Sequence, residues 1–410
     1  MNILYINHYA GSPDMGMEFR PYYLSEEWVK QGHHVTIIAG DYSHLRKHNP
    51  SVKHDFQSEM IKGIEYVWIK TGMYEGNGIK RALSMGKFVR KLIINSKKIA
   101  DKWRPDIIIA SSTYPLDTYA AQCIRHYSNA KYVHEVHDMW PITLIELGGM
   151  SKYHPFVLLM QLAENSFCKH SDYVVSLLCA SKNYFVSHGM DPLKFRCVMN
   201  GIVEQEWENP LPLNPLHGEV IDAYHNEGKH VICFFGSITK SYAIEYLLRA
   251  INEMDSSSIA VVIVGEGNQK KELMSQYQNE NISFLPKIDK LMIPSLLEKV
   301  DSIYVGALKN DMFRFGVCMN KIFDSMMAGK PLLYAVDAPN NFALDYNCGI
   351  SVEAENDEEI KRGLLKLLDL SHEEMKQMGN NGKKAIVECF TYDKLAKHFI
   401  DCIEDYNVNE

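Results

Sequence analysis

Short apolar runs, unbroken by polar alternation, recur along the chain in two series. "NILYI", "HVTIIAG", "DIIIASS", "KYVHEVH" and "DYVVSLL" make up the first, and "VICFFGS", "IAVVIVGEG", "ISFLP", "SIYVGA" and "PLLYAV" the second. A strand with one wet face alternates apolar and polar residues, so runs like these belong to parallel strands covered on both sides. The stretches between them have helical spacing. Met17–Lys30 sets Phe19, Tyr22, Tyr23 and Trp28 ahead of Gly32, and helices are expected over Tyr242–Asn252, Ile293–Lys299 and Ile322–Ala328.

Between the two series stands "WENPLPLNPLHGE", whose prolines and lack of period read as a linker over 207–219. A chain of 410 residues also exceeds what one core usually serves. The expected architecture is therefore α/β: two facing Rossmann-like domains with mostly parallel sheets, 1–206 and 220–385, and a ligand cleft between them.

A formal net charge of −8 argues against a protein that coats nucleic acid. Nine cysteines without a C-x-x-C pair read as separate thiols in a reducing compartment, not as a disulfide framework or zinc ribbon. The N-terminus has no basic region ahead of an apolar core, and no run approaches a transmembrane length, so a cytoplasmic chain with peripheral membrane contact at most is expected.

Three glycine-bearing junctions follow strands of the second series. After "VICFFG", Gly236, Ser237, Thr239 and Lys240 present either a phosphate site at a helix start or an ordinary strand-to-helix turn. The G-x-G that begins at Gly265 lacks the third glycine of a dinucleotide fingerprint, where Lys270 stands; it fits close packing or a nucleotide-base contact better. In "FRFGVCMNKIFDSMMAGKPLL", Arg314, Gly316 and Lys321 precede Asp324, a set suited to a diphosphate and a ribose diol. In the first series, "HEVHDMWP" ends a strand. His134 and His137 differ by an odd step, so they point to opposite faces and do not readily share a metal ion.

The pieces "MGMEFRPYYLSEEWVKQGHHVT", "EVHDMWP", "SKNYFVSHGMDPLKFRCVMNGI", "VGEG" and "NKIFDSMMAGKP", in this order over the full length, resemble the bacterial retaining glycosyltransferases of the GT-B fold, family 4. The similarity is greatest to the surface-polysaccharide branch that includes N-acetyl-L-fucosamine transferases. By that resemblance His137 lies near the transferred sugar, Gly16 belongs to a loop facing the acceptor and donor phosphates, and Asp324 holds the nucleotide ribose. Asp138, beside His137, is expected to orient it or to cap backbone. The resemblance also implies that a helix within 386–410 crosses back to the first domain.

The departures from the family are specific. The first glutamate of its E-x7-E element falls on Gly316 or Phe313, and its diphosphate-binding Arg and Lys are replaced by Ser237 and Tyr242. Lys240, Arg314 and Lys321 are the candidate substitutes. Met15 stands for the first glycine of the double-glycine loop, and Val203 for an aspartate.

The implied partners are a nucleotide-sugar donor, guessed to carry a UDP-linked N-acetylated amino or deoxy sugar, and a polyprenyl-diphosphate-linked saccharide acceptor in O-antigen or capsule biosynthesis. No cofactor is expected, and no D-x-D pair is present to hold a metal. Basic and apolar residues interleave over Ile79–Arg104, which suits either a membrane surface or packing on the domain itself. Two alternatives stay open: a sugar-nucleotide epimerase of the same fold, and a non-catalytic sugar-nucleotide-binding subunit.

Overall fold

The computed structural model describes residues 1–16, 19–76, 78–254 and 258–404. Two compact units emerge: Met1–Met199 with Tyr392–Glu410, and Asn200–Thr391.

Unit 1 holds eight strands: β1 (Asn2–Ile6), β2 (His34–Gly40), β3 (Gln57–Ile61), β4 (Ile64–Ile69), β5 (Ile107–Ala110), β6 (Lys131–Val136), β7 (Tyr173–Ser176) and β8 (Phe195–Cys197), in the order β3-β4-β2-β1-β5-β6-β7-β8. All neighbours are parallel except β3 and β4. That pair closes through Lys62 and Gly63, both at positive φ, as a two-residue hairpin demands. The polar "QSEMI" strand then sits at the sheet edge, where its outward residues meet water.

The helices over the central strands bury apolar residues at helical spacing. Phe88 and Leu92 of helix Ile79–Ile94, Ile124 of Asp117–Ser128 and Met160 of Pro155–His170 share one core with Leu4, Ile6 and Ile108. The helix expected from Met17 begins among described residues at Phe19; Met17 and Glu18 lie outside them. The basic stretch Ile79–Arg104 is two helices, Ile79–Ile94 and Ser96–Trp103, parted at Asn95. Its inner face is core, and among its cations Lys91 pairs with Asp55 at 2.8 Å and Lys102 with Glu65 at 3.8 Å. Helix Tyr392–Glu404 packs on Phe19–Lys30, where Trp28 Nε1 donates to the Ala396 carbonyl at 2.9 Å.

Unit 2 has β9 (His230–Ser237), β10 (Ile259–Glu266), β11 (Ile282–Leu285), β12 (Ser302–Gly306), β13 (Leu332–Ala335) and β14 (Gly349–Ser351), all parallel, in the order β11-β10-β9-β12-β13-β14. The proline-rich 207–219 stretch lies inside this unit. Its end opens helix Pro215–Asn226, because a proline at the first helical position loses no hydrogen bond. The helix expected from Tyr242 starts at Ile244 instead. Ala243, at φ 50°, separates it from a 3-10 turn over Lys240–Tyr242.

One expectation is overturned. Cys179 and Cys197 form a disulfide, because β8 pairs beside β7 and the turn after β7 brings the two Cα atoms to 5.1 Å. Cys123, Cys168, Cys233, Cys318, Cys348, Cys389 and Cys402 are thiols. Among the described residues no helix is long and apolar enough to cross a membrane.

Candidate functional site

Open parallel sheets bind ligands beyond the carboxyl ends of their strands, at the point where strand order reverses. In unit 1 that point is between β1 and β5, and in unit 2 between β9 and β12. Polar residues gather at both.

Side chains alternate along β6. On one face His134 stacks on Phe167, with ring centroids 3.9 Å apart, and its Nδ1 lies 3.0 Å from the Tyr132 hydroxyl. Burial pulls its pKa to about 3, so it is a neutral core histidine. On the other face stand Glu135 and, just past the strand, His137, whose side chain is 12% exposed. His137 Nε2 lies 3.0 Å from Glu135 Oε2 and 2.8 Å from Ser111 Oγ, at the end of β5.

Glu135 is wholly buried, and Arg20 donates to its Oε1 from Nε at 3.0 Å and from a terminal nitrogen at 2.9 Å. Ser111 Oγ donates to Oε2 at 2.6 Å, and the Tyr5 hydroxyl donates to the same oxygen. Burial alone would push this carboxyl up. The Arg20 charge, His137 and the hydrogen bonds outweigh it and hold the group well below the carboxylate range. Arg20 also donates to the carbonyls of Met199 at 2.6 Å and Val198 at 2.9 Å. Glu135 thus supplies a carboxylate contact to His137, and Asp138, expected to orient that ring or to cap backbone, is exposed at the strand end. Gly16, at φ 89°, ends the 3-10 turn Pro13–Met15; a Cβ there would press 2.8 Å from the Lys47 side chain.

In unit 2, the ends of β9 and β10 approach so closely that a Cβ on Gly265 would collide with the Gly236 carbonyl. The G-x-G at Gly265 therefore serves strand–strand contact. Beside it a cavity of about 320 Å³ is lined by Phe235, Gly236, Ser237, Gly265, Lys287 and Ile293, among others. Lys321, in the first turn of helix Asn320–Met327, reaches back to Gly236, with Nζ 3.5 Å from where a Cβ there would stand. The ammonium lies 3.8 Å from the Phe234 ring centre and 3.6 Å from that of Tyr242.

The Nζ atom is buried with no hydrogen-bond partner among the described residues, and burial pulls its pKa to about 7. One turn on, burial pushes the Asp324 carboxyl up to about 7. A cation and a carboxylate with shifted pKa values, one turn apart at the end of a sheet, make this a candidate binding site. The other predicted residues lie along the same edge, Ser237 in the lining of that cavity. Ser237 and Lys240 are exposed, and Thr239 shares a 2.8 Å hydrogen bond with Ser241. Gly316, buried at φ 99°, ends the 3-10 turn Asp311–Phe315. Arg314 folds back on that turn, donating to the Asp311 carbonyl at 2.6 Å and stacking on Phe315.

Sequence reasoning missed Arg20, Ser111 and Glu135. A signal was present in "YVHEVH": a glutamate in a run read as buried on both faces requires a cation.

Two doubly wound α/β units, each with polar residues at a sheet switch point, define the class of GT-B glycosyltransferases. The chain belongs to the family 4 glycosyltransferases: residues 15–206 match Glycosyltransferase Family 4, and residues 221–385 match Glycosyl transferases group 1. It is 24% identical over 241 residues to the uncharacterized glycosyltransferase MJ1069 of Methanocaldococcus jannaschii, spanning 56% of this chain and 58% of that protein. Among solved structures, the fold is similar to that of sucrose-phosphate synthase from Thermosynechococcus elongatus (13% identity, TM-score 0.70, covering 100% and 99% of the two chains). It is similar also to Anabaena Alr3699/HepE in complex with UDP and glucose (14% identity, TM-score 0.64, 98% of each chain).

Proposed function

We propose that the protein is a retaining glycosyltransferase that takes a sugar from a nucleoside diphosphate and passes it to an acceptor hydroxyl. One observation carries the reading: the Lys321 ammonium, its Nζ buried without a hydrogen-bond partner among the described residues, against Gly236 at the β9 switch point, one helical turn from the half-buried Asp324 carboxyl. Lys321 lies on the ring of Tyr242, the residue that replaces a family cation, and so restores positive charge at that place from a different helix. The likeness to a structure that holds UDP and glucose supports a UDP-linked donor.

In the proposed reaction the bond from the anomeric carbon to the diphosphate oxygen breaks. The acceptor oxygen bonds to that carbon from the same face, and its proton passes to the departing phosphate oxygen. The charge that develops on the diphosphate is met by Lys321, by the backbone N–H groups at Gly236 and Ser237 and by the start of helix Asn320–Met327, in place of a metal. Asp324 accepts the ribose hydroxyls, and His137 positions the sugar.

The donor sugar is proposed to be an N-acetylated amino or deoxy sugar, and the acceptor a polyprenyl-diphosphate-linked saccharide of a bacterial surface polysaccharide. A panel of such UDP-sugars, incubated with a short-chain polyprenyl-diphosphate N-acetylhexosamine, is expected to yield a disaccharide with the donor's anomeric configuration by NMR. His137→Ala is expected to lower turnover by about 100-fold. Epimerised donor without transfer, or an inverted product, would refute the reading.

A lipid-linked acceptor calls for contact with a membrane surface. Ile79, Leu83 and Ile94 are exposed on helix Ile79–Ile94 beside exposed Lys80, Lys87 and Arg90, with exposed Lys97 and Lys98 following on the next helix. Flotation with phosphatidylglycerol vesicles at low salt is expected, and its loss in Ile79→Asp/Leu83→Asp. Equal flotation of the variant and the wild type would remove this face from the account.

A further inference from the structure

We infer that Glu135 and Arg20 are positioning residues whose buried ion pair fixes a His137 ring proton on Nε2 and so sets the orientation of the ring toward the transferred sugar. The inference rests on the reading that His137 touches that sugar.

Ser111 commits its single proton to Glu135 Oε2 at 2.6 Å, so its oxygen can only accept at His137 Nε2, 2.8 Å away. Glu135 Oε2, 3.0 Å from the same nitrogen, accepts as well, because an ionised carboxylate has no proton to give. Both neighbours of Nε2 therefore require a proton on it, so whenever the ring is neutral its single proton sits on Nε2.

What keeps Glu135 ionised is Arg20, which grips the other oxygen, Oε1, through two N–H groups. A purely structural ion pair would be complete with Arg20 alone. Here the second oxygen gathers Tyr5, Ser111 and His137, the last at the mouth of the strand end. Arg20 does not touch His137 in these contacts and acts on it through the carboxylate. Its guanidinium is anchored in turn by the Val198 and Met199 carbonyls, which fixes where Oε1, and hence the whole carboxylate, must stand.

Glu135→Gln makes the inference testable, because the change keeps shape and reverses one demand. A guanidinium only donates, so the glutamine oxygen must face Arg20 and its NH2 must face the ring. His137 then has to accept at Nε2 and carry its proton on Nδ1.

The experiment is a long-range 1H–15N spectrum of full-length protein labelled with 15N-histidine, with the His137 signals assigned by their loss in His137→Ala. The wild type is expected to show the Nε2–H pattern, Glu135→Gln the Nδ1–H pattern, and Glu135→Asp the wild-type pattern. Turnover of the UDP-sugar panel is expected to fall about 10- to 100-fold in Glu135→Gln with donor KM changed less than about twofold, and to recover in part in Glu135→Asp. An Nδ1–H or mixed pattern in the wild type overturns the inference whether or not any variant folds, and so does an unchanged pattern in folded Glu135→Gln. Full turnover in His137→Ala would instead contradict the sugar-contact reading. The two failures are distinct, because the ring pattern is read without substrate.

Discussion

Lys321→Ala is expected to weaken binding of a nucleoside diphosphate by about 10- to 100-fold, the range of a lost hydrogen bond to a charged group. The same change is expected to leave the unliganded protein as stable as the wild type or more so. An ammonium buried without a hydrogen-bond partner costs free energy in the folded state, and only two aromatic faces offset it. Weaker binding together with an unchanged or higher melting temperature separates a ligand-binding lysine from a structural one, which would lower both.

The pH dependence follows from the same burial. Burial brings the Lys321 pKa to about 7. The diphosphate prefers the charged form, so affinity declines as pH rises through 7 and the free protein loses that proton. In Lys321→Ala this alkaline decline is expected to vanish. Isothermal titrations with UDP between pH 6.5 and 8.5 measure it, and a wild-type affinity that stays flat over that range would show that the lysine does not meet the phosphate.

Arg20→Ala is expected to destabilise unit 1 by about 3–5 kcal/mol, the cost of leaving a buried charge without its partner. Arg20 is 5% exposed and Glu135 fully buried, so water does not replace the lost guanidinium, and the Val198 and Met199 carbonyls lose their donor as well. Protonation of Glu135 offers partial relief. Arg20→Lys restores the charge but not the two-pronged grip on Oε1, and is expected to recover about half of the loss. Equilibrium urea unfolding reads both; a loss below about 1 kcal/mol for Arg20→Ala would mean that the pair is not load carrying in the folded state.

How much of this was legible in the sequence differs by kind of interaction. Runs such as "VICFFG" and "IAVVIVG" announced parallel strands, because a strand covered on both faces has no polar alternation to hide it. The β3–β4 hairpin escaped notice, since its outer strand is polar and sits at an edge. Helix starts shifted where one residue took an unusual backbone: Ala243 in the left-handed region delays the helix to Ile244. The Cys179–Cys197 pairing depends on β8 lying beside β7, a tertiary fact that cysteine spacing alone does not carry.

In the sites, residues clustered along one short stretch were easier to find than residues joined across the fold. Lys321 and Asp324 stand three apart on one helix and were both singled out. Which of the candidate cations would turn inward was not readable: Lys240 is exposed and Arg314 folds onto its own turn, whereas Lys321 reaches Gly236. Arg20 and Glu135 lie 115 residues apart, and only the folded sheet brings them together.

The most direct measurement is an isothermal titration of the full-length protein with UDP, GDP and ADP in EDTA, repeated on Asp324→Ala. The account predicts that one of the three, UDP foremost, binds with one site per chain, and that Asp324→Ala weakens it at least tenfold as the ribose contact is lost. Binding of none of the three, or binding that Asp324→Ala leaves untouched, would contradict a donor site at the β9–β12 edge of unit 2.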